Sequence, residues 1–203
     1  MKMTPQITVS VAITTYNHEK YIAQCIESAL MQKSDFKYEI IIGEDCSTDN
    51  TRKICREYKK RYPEIIRLIE HKENVGLRKN NYSVWSSAKG KYIAYLEGDD
   101  FWTNENKLQI QVDFLEQNPE FMGSGHQTFL YFENNPAKNR LFSRLDDLTE
   151  INFTQNIESW LFATCSFVFR NFFTTPPIFI NNLTSANYMI ISRKTQCFGR
   201  IDL

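Results

Sequence analysis

The run Y-I-A-Y-L-E-G-D-D-F-W at residues 92–102 decides the fold of this chain. Five residues suited to a buried strand lead directly into Glu97, Asp99 and Asp100, and two aromatic residues follow. Carboxylates packed this closely repel one another, because two unit charges about 4 Å apart interact by roughly 4 kcal/mol at an effective dielectric constant near 20. The end of a buried strand tolerates such repulsion when a cation binds there. A divalent cation with oxygen ligands, and a phosphate ester as its second partner, is the natural candidate.

Upstream of this run, apolar segments of strand length alternate with segments of helical spacing. The predicted strands are residues 7–14, 39–43, 65–70 and 91–96, and the predicted helices between them are residues 19–31, 51–62 and 80–88. This alternation predicts the α/β class, with a mostly parallel central sheet and helices on both faces. Ligands of such sheets bind beyond the carboxyl ends of the strands, where polar clusters stand at residues 14–17, 44–47 and 97–100.

The pattern loosens towards the end of the chain. The predictions there are a helix over 105–117, strand or mixed structure over 121–132, a short helix over 145–156, a strand over 164–170 and a helix over 186–192. The 203 residues are enough for one substantial domain.

Composition limits the classes of partner. Lys plus Arg and Asp plus Glu number 24 each, so the net charge is zero and no broad basic field is available to bind nucleic acid. The five cysteines include no C-x-x-C pair, which is typical of small buried residues in a reducing compartment. No signal peptide pattern and no run of about 18 apolar residues occurs. These features favour a cytoplasmic protein that contacts the membrane at most peripherally, at its inner face.

Three common kinds of site find no support in the sequence. His18, His71 and His126 show no metal-ligand spacing with another His or Cys, which argues against a zinc site. The chain has no G-x-x-x-x-G-K-[ST] run, so it is not a P-loop enzyme. No G-x-G-x-x-G run follows the first strand, so a dinucleotide Rossmann site is unsupported.

The carboxylates that end the fourth strand are the candidate metal ligands. Asp99 is the predicted direct ligand, and Glu97 is predicted to hold the metal through water or to bind a ribose hydroxyl. Asp100 could instead cap the helix that follows. The alternative to a site is a solvated acidic turn after an edge strand, which the apolar character of residues 92–96 disfavours.

A base pocket is predicted where the first and second strands end. The carboxylate of Glu44 or Asp45 can accept the N–H of a nucleobase edge such as the imide of uracil, and a charge in the first turn of the next helix is the alternative role. Thr14, Thr15 and Tyr16 could line the pocket, with Tyr16 stacked on the base.

The residues after the turn at 74–76 are candidates for contact with a diphosphate. Lys79 could reach it, with Arg78 beside it, although a surface position is the usual role of such residues. Asn80 could orient a ligand group. The aromatic pair at residues 101–102 could pack beneath the acidic loop or form a platform for a sugar.

Four motifs together resemble the family 2 glycosyltransferases of the GT-A fold. They are V-S-V-A-I-T-T-Y-N at 9–17, E-I-I-I-G-E-D-C-S-T-D at 39–49, N-V-G at 74–76 and G-K-Y-I-A-Y-L-E-G-D-D-F-W at 90–102. The E-G-D-D-[FY]-W form, with K-L-Q-x-Q-V-D-F-L-E at 107–116, is similar to a bacterial branch that builds surface polysaccharides. T-C-S-F-V-F-R-N at 164–171 is similar to the strand that precedes the acceptor site in that branch.

The resemblance implies a metal-dependent, inverting transfer of a sugar to a glycan or lipid-linked acceptor. The implied donor is a nucleotide diphosphate-sugar, a UDP-sugar above all, and the implied cofactor is Mn²⁺ or Mg²⁺. Asp45 is expected to read the base, Glu97 and Asp99 to form the D-x-D pair, and Asp99 to be the metal ligand. The nucleotide-sugar site so predicted comprises Thr14, Thr15, Tyr16, Glu44, Asp45, Asn74, Lys79, Asn80, Glu97 and Gly98.

The resemblance also implies one GT-A domain over residues 1–203, C-terminally short for the family. Residues 1–120 would bind the nucleotide sugar and residues 121–203 would face the acceptor. The branch carries its catalytic base as an aspartate where this chain has Asn187, and an amide cannot take a proton from the acceptor at neutral pH. A nucleotide-sugar-binding protein with weakened catalysis is therefore the alternative function.

Overall fold

Four parallel strands form one half of the sheet in this computed structural model, which describes residues 6–132, 135–142, 150–152, 163–173 and 188–200. The strands are β1 (Val9–Thr15), β2 (Tyr38–Glu44), β3 (Ile66–Glu70) and β4 (Tyr92–Glu97), in the spatial order β3-β2-β1-β4. The helices that connect them are α1 (Ile22–Leu30), α2 (Thr51–Arg61) and α3 (Leu77–Ser86). Every residue of β1 is buried, as expected of a central parallel strand covered on both faces.

The hydrophobic core has two parts, one on each face of the sheet. Alternate side chains of β1 enter different parts, because successive side chains of a strand point to opposite faces. Val11 packs with α1 and α2 on one face, whereas Ala12 packs with Val84 of α3 on the other. The prediction of an α/β fold with helices on both faces is therefore confirmed.

The second half of the sheet adds antiparallel pairings. Its elements are β5 (Phe101–Trp102), α4 (Lys107–Gln117), β6 (Gly123–Tyr131), β7 (Arg140–Leu141), β8 (Glu150–Asn152), β9 (Val168–Arg170) and β10 (Tyr188–Arg200). The strand β9 lies antiparallel between β4 and β6, and so joins the two halves. The strand β10 runs parallel to β6 and antiparallel to β5 and β8. Two 3₁₀ turns, Pro136–Lys138 and Thr164–Ser166, complete the described elements.

Two helix predictions in this half are wrong where they fall on residues that the structure describes. Residues 150–152, predicted as part of a short helix, form β8, and residues 188–192, predicted to be helical, open the long strand β10. Both segments are extended because each pairs with a strand that is remote in sequence, and local propensity does not register such partners. The predicted strand over 164–170 begins as a 3₁₀ turn, and the strand itself starts at Val168.

Within the described residues, no helix is both long enough and apolar enough to cross a membrane.

Candidate functional site

The three polar clusters meet at one edge of the sheet. The register pairs Thr14 of β1 with Gly43 of β2 and with Glu97 of β4, so the carboxyl ends of these strands lie side by side. A cavity of about 450 Å³ opens there. Its lining residues are Thr14, Thr15, Tyr16, His18, Asp45, Asn74, Gly76, Leu77, Asn80, Glu97 and Asp99.

Most of the residues singled out from the sequence line this cavity, and a few do not. The structure brings together Thr14, Thr15, Tyr16, Asp45, Asn74, Asn80, Glu97 and Asp99. Glu44, Lys79 and Gly98 are not among the lining residues. His18, Gly76 and Leu77 line the cavity without having been predicted to do so. Asn187 lies outside the described residues.

Two loops next to the cavity are locked to each other by side chains. Asn17 and Cys46 both adopt left-handed backbone conformations, with φ of 55° and 59°. The side-chain oxygen of Asn17 accepts a hydrogen bond from the backbone N–H of Thr48 at 2.8 Å, and the Asn17 N–H donates to the hydroxyl of Ser47 at 3.0 Å. Non-glycine residues persist in this strained conformation where their surroundings fix it. The loops after β1 and β2 are therefore one preorganised unit.

The carboxylate of Asp45 anchors a third loop to that unit. Its two oxygens accept hydrogen bonds from the backbone N–H groups of Val75 and Gly76, at 2.7 and 2.9 Å. Gly76 has a φ of +82° and precedes the first residue of α3. Each carboxylate oxygen has two lone-pair sites, so this bonding leaves Asp45 with acceptor capacity towards the cavity. Asp45 thus positions the N-V-G turn, in addition to any contact with a base.

Glu44 has a different role from its neighbour, which corrects its assignment to the ligand site. Its side chain is fully buried, pairs with Arg52 of α2 and accepts the backbone N–H of Ser47 at 2.7 Å. Arg52 also donates to the carbonyl of His71 at 2.7 Å. Glu44 therefore holds α2 and the ends of β2 and β3 together beneath the loops.

Asn80 and Lys79 lie next to each other on α3 but in different surroundings. Asn80 is buried, its amide N–H group donates to the carbonyl of Gly43 at 2.9 Å, and its side-chain oxygen lies 3.2 Å from Nε2 of His71. A Cβ at Gly43 would collide with Asn80, which explains the glycine at this place in β2. Asn80 thus fixes α3 against the sheet while reaching the cavity wall. Lys79 is exposed and does not line the cavity.

The three acidic residues of the E-G-D-D run lie in distinct environments. Glu97 is half-buried and accepts a hydrogen bond from the hydroxyl of Thr164. Burial raises the pKa of the Glu97 carboxyl, the hydrogen bond from Thr164 opposes this rise, and the charge of Asp99 adds to it. The Asp99 side chain is 38% exposed, and its Oδ2 lies 4.0 Å from Nε2 of His18.

Asp100 is buried and does not cap the next helix, contrary to one of the sequence alternatives. Its backbone N–H closes a tight turn onto the carbonyl of Glu97 at 3.0 Å. The strand β5 follows at once, and the N-cap of α4 is Asn106. The acidic run is therefore a turn between two strands, with Asp99 at its exposed tip.

His18, which packs against Gly98, is the part of the site that the sequence did not reveal. Nδ1 of His18 lies 3.2 Å from the hydroxyl of Thr15, which turns Nε2 of the ring towards Asp99. The ring fits because residue 98 is glycine, since a Cβ there would lie 2.8 Å from Nδ1 of His18. The sequence carried no signal for this contact, because it joins two loops about 80 residues apart.

Trp102 packs beneath the acidic turn. It is 1% exposed, its indole N–H donates to the carbonyl of Cys165 at 2.8 Å, and Nζ of Lys107 lies 4.2 Å from the centre of its ring. The aromatic contact of Phe101 is edge-to-face with Tyr131, at 6.3 Å. For Trp102, packing is thus the observed role.

The donor atoms at the cavity suit a hard divalent cation only in part. Among the described residues no group of three or more His, Cys, Asp and Glu side chains is arranged to hold a metal. Asp99 nevertheless offers an exposed carboxylate, with Glu97 two residues away. Mg²⁺ is usually bound by one or two carboxylates together with the phosphates of a substrate. The residues therefore fit a cation that arrives with a phosphorylated ligand and do not form a cage for a free ion.

Comparison with known proteins agrees with the four sequence motifs at residues 9–17, 39–49, 74–76 and 90–102. The sequence profile of the glycosyl transferase family 2 matches residues 10–174. The chain is 35% identical over 162 residues to the uncharacterized protein Rv1520 of Mycobacterium tuberculosis, which covers 80% of this chain and 46% of that protein. It is 37% identical over 119 residues to the putative teichuronic acid biosynthesis glycosyltransferase TuaG of Bacillus subtilis, which covers 58% of this chain and 46% of TuaG.

The fold is similar to that of S. aureus TarS, residues 1–349, crystallised in complex with UDP. The TM-score is 0.69 at 19% sequence identity, over 97% of this chain and 61% of that chain. The chain spans less than half the length of the curated relatives it matches.

Proposed function

This chain belongs to glycosyl transferase family 2, and from that premise we propose that its cavity binds a nucleotide diphosphate-sugar, a UDP-sugar above all, for transfer of the sugar. The observation that carries the proposal is the convergence of Asp45, Glu97 and Asp99 with Tyr16 on one cavity at the carboxyl edge of a parallel sheet. Crevices at this edge are where open α/β sheets bind their ligands.

The base end of the proposed donor lies between the loops after β1 and β2. Tyr16 is 40% exposed at the cavity and offers a ring for stacking. Asp45 offers acceptor capacity beside it, which suits the N–H of a uracil ring. The crystal structure of TarS with UDP supports uracil as the first base to test, because that protein has the same fold.

The diphosphate end of the donor lies towards Asp99. We propose that Asp99 holds Mn²⁺ or Mg²⁺ directly, with Glu97 next to it on the sugar side. A bound divalent cation would neutralise the charge that builds up on the leaving diphosphate. The chain's own residues would orient the donor: the loops after β1 and β2 would hold the base, and Asp99 would face the phosphates. Gly98 has no Cβ and so leaves room for the ring of His18, whose Nε2 lies 4.0 Å from Oδ2 of Asp99.

The acceptor and the stereochemistry belong to the same proposal. We propose inverting transfer to a glycan or lipid-linked acceptor in surface-polysaccharide biosynthesis, since the name of TuaG places that relative in teichuronic acid biosynthesis. We propose a cytoplasmic location with membrane contact at most peripheral, which the balanced charge of the chain supports.

A thermal-shift panel tests the proposal. The full chain is heated with UDP-glucose, UDP-N-acetylglucosamine, GDP-mannose or dTDP-glucose, each with Mn²⁺ and with EDTA. A ligand that binds the native state at 100 times its dissociation constant stabilises it by about 2.7 kcal/mol, which is easily detected. A shift with one class of donor that depends on Mn²⁺ supports the proposal. No shift with any donor would remove it.

A second function is favoured by one residue of the sequence. Asn187 stands where the resembling branch has an aspartate base, which supports a nucleotide-sugar-binding protein with weakened catalysis. The loss of a general base costs about 10²–10⁴ in rate. Donor turnover in the N187D variant decides between the two functions. A rise in turnover of that size favours the transferase. Turnover that stays at background while donor binding is intact favours the binding protein.

A further inference from the structure

The side chain of Glu97 connects the end of β4, in the parallel half of the sheet, to the turn before β9 in the other half. Glu97 ends β4 and lines the cavity, and its Oε2 accepts a hydrogen bond from the hydroxyl of Thr164. This is the one hydrogen bond that the structure gives the Glu97 carboxylate within the described residues. Thr164 is 67 residues further along the chain, in the 3₁₀ turn that precedes β9.

The turn that carries Thr164 is held in place from several sides. The indole N–H of Trp102 donates to the carbonyl of Cys165 at 2.8 Å, and the amide N–H group of Gln111 donates to the carbonyl of Ser166 at 3.1 Å. The backbone N–H of Tyr95 in β4 donates to the carbonyl of Phe167 at 3.1 Å. Cys165 and Ser166 are completely buried. The hydroxyl of Thr164 therefore sits at a fixed place relative to the end of β4, and does not belong to a mobile surface residue.

The hydrogen bond separates the roles of the two carboxylates that line the cavity. Glu97 is half-buried and bonded to the turn, whereas Asp99, with 38% of its side chain exposed, stands at the tip of the acidic turn. A hard cation keeps several waters and so suits the exposed carboxylate. A carboxylate that already accepts one hydroxyl, and retains lone pairs on both oxygens, is suited to accept another hydroxyl. The sugar is the part of a nucleotide sugar that is rich in hydroxyl groups, and it must lie where the two halves meet, because it passes from donor to acceptor.

We propose that Thr164 is a positioning residue that aims the Glu97 carboxylate at a hydroxyl group of the donor sugar. The inference rests on the proposed function and deepens it, since it assigns Glu97 to the sugar and leaves the cation to Asp99. Thr164 acts through Glu97 and does not itself touch the reacting atoms.

Isothermal titration of the full chain with UDP and with UDP-sugars, in Mn²⁺, tests this role. The measured quantity is the ratio of the dissociation constant of UDP to that of the UDP-sugar with the largest thermal shift, UDP-glucose or UDP-N-acetylglucosamine. The T164V variant replaces the hydroxyl with a methyl group of similar size. It should lower this ratio by about 10- to 150-fold, the range for losing a hydrogen bond to a charged group, and leave the affinity for UDP unchanged. The T164S variant, which keeps the hydroxyl, should retain most of the ratio.

Two further variants separate positioning from general damage to the turn. S166A removes a hydroxyl that donates to Ala163 in the same turn, and it should leave the ratio unchanged. In an E97Q background T164V should have little further effect, because Thr164 acts through that side chain. Circular dichroism melts of each variant establish that it is folded.

The outcomes are distinguishable from failure of the proposed function. A wild-type chain that binds neither UDP nor any UDP-sugar removes the donor-binding proposal itself. A wild-type chain that binds UDP and UDP-sugar equally well overturns the role of Glu97 at the sugar while nucleotide binding stands. A folded T164V variant with the wild-type ratio overturns the role of Thr164 alone.

Discussion

Gly98 lies directly against the ring of His18: a Cβ added to Gly98 would lie 2.8 Å from Nδ1 of that ring. The same Cβ would lie 2.6 Å from the hydroxyl of Thr15, which itself contacts that nitrogen. The loop after β1 and the acidic turn after β4 are therefore packed too closely at this point to admit a side chain at residue 98. Substitution at Gly98 must move one of them.

The G98A substitution should lower the free energy of unfolding by about 1–3 kcal/mol, as for other overpacked positions. It should also weaken donor binding, because the displaced ring of His18 lies beside Asp99. Urea denaturation measures the first effect and titration with the UDP-sugar the second. The H18A/G98A double variant serves as the control, since removal of the ring should return part of the lost stability. A G98A variant as stable as the wild type would contradict the close packing.

Replacing Arg52 with Gln should destabilise the protein by about 3–5 kcal/mol, because the fully buried carboxylate of Glu44 then has no ion partner. The matched control is R56Q on the same helix. Arg56 is 61% exposed and pairs with the partly exposed Glu70, so its loss should cost no more than about 1 kcal/mol. Urea denaturation of both variants, and of E44Q/R52Q, measures the difference. If R52Q and R56Q lost the same stability, the loss of Arg52 would not leave the Glu44 carboxylate as an unpaired buried charge.

The E97Q variant should be more stable than the wild type at neutral pH. Burial raises the pKa of Glu97 in the folded state above its ordinary value of 4.5, so the folded protein binds the proton more tightly than the unfolded chain does. The wild type therefore loses stability as the pH rises through the interval between the two pKa values, and glutamine removes this loss. The gain in melting temperature should vanish below about pH 4, where the carboxyl is protonated in both states. A gain that is the same at pH 4 and pH 7 would contradict this origin.

The D45N variant should release the turn at residues 74–76. An amide at this position presents N–H groups to at least one of the Val75 and Gly76 N–H donors, which leaves that donor without an acceptor and costs about 1–3 kcal/mol. Hydrogen exchange at these two amides should become faster, and the affinity for UDP should fall. Exchange in β3 serves as the internal reference. Unchanged protection of both amides would show that Asp45 does not anchor the turn.

The D99N variant should abolish the part of donor binding that depends on Mn²⁺ and leave binding in EDTA unchanged, since only the charged carboxylate attracts the cation strongly. D113N is a suitable control, because Asp113 is exposed on α4 and is not among the residues that line the cavity. Titrations with and without Mn²⁺ measure both variants. If D99N keeps the full response to Mn²⁺, the cation is held elsewhere.

The apolar runs of β1, β2 and β4 were sufficient to predict the sheet, because strands buried on both faces consist of nearly continuous apolar runs. Those strands are parallel, so their carboxyl ends meet at one edge whatever the detailed packing is. Asp45, Glu97 and Asp99 could therefore be placed together from the sequence. The helix predictions over 145–156 and 186–192 are wrong at residues 150–152 and 188–192, because β8 and β10 pair with each other and this pairing makes both segments extended.

Neighbouring residues at the ends of these strands could not be told apart. Glu44 and Asp45 are adjacent acidic residues, and from the sequence either could bind a nucleobase. In the structure Glu44 is buried against Arg52, whereas Asp45 lines the cavity. Successive side chains of an extended chain point to opposite sides, and only the position of α2 shows on which side Arg52 lies. The same holds for Lys79 and Asn80, where the turn of α3 leaves the lysine in water and buries the amide.

The sequence by itself determined the α/β fold, the edge of the sheet where the cavity lies, and the carboxylates that reach it, because these follow from strand burial and parallel order. Only the tertiary structure decided the partner of each carboxylate. His18 beside Asp99, Arg52 on Glu44 and Thr164 on Glu97 join residues that are 81, 8 and 67 positions apart. Such contacts depend on how helices and loops pack against the finished sheet, and a linear pattern of hydrophobicity holds no record of that packing.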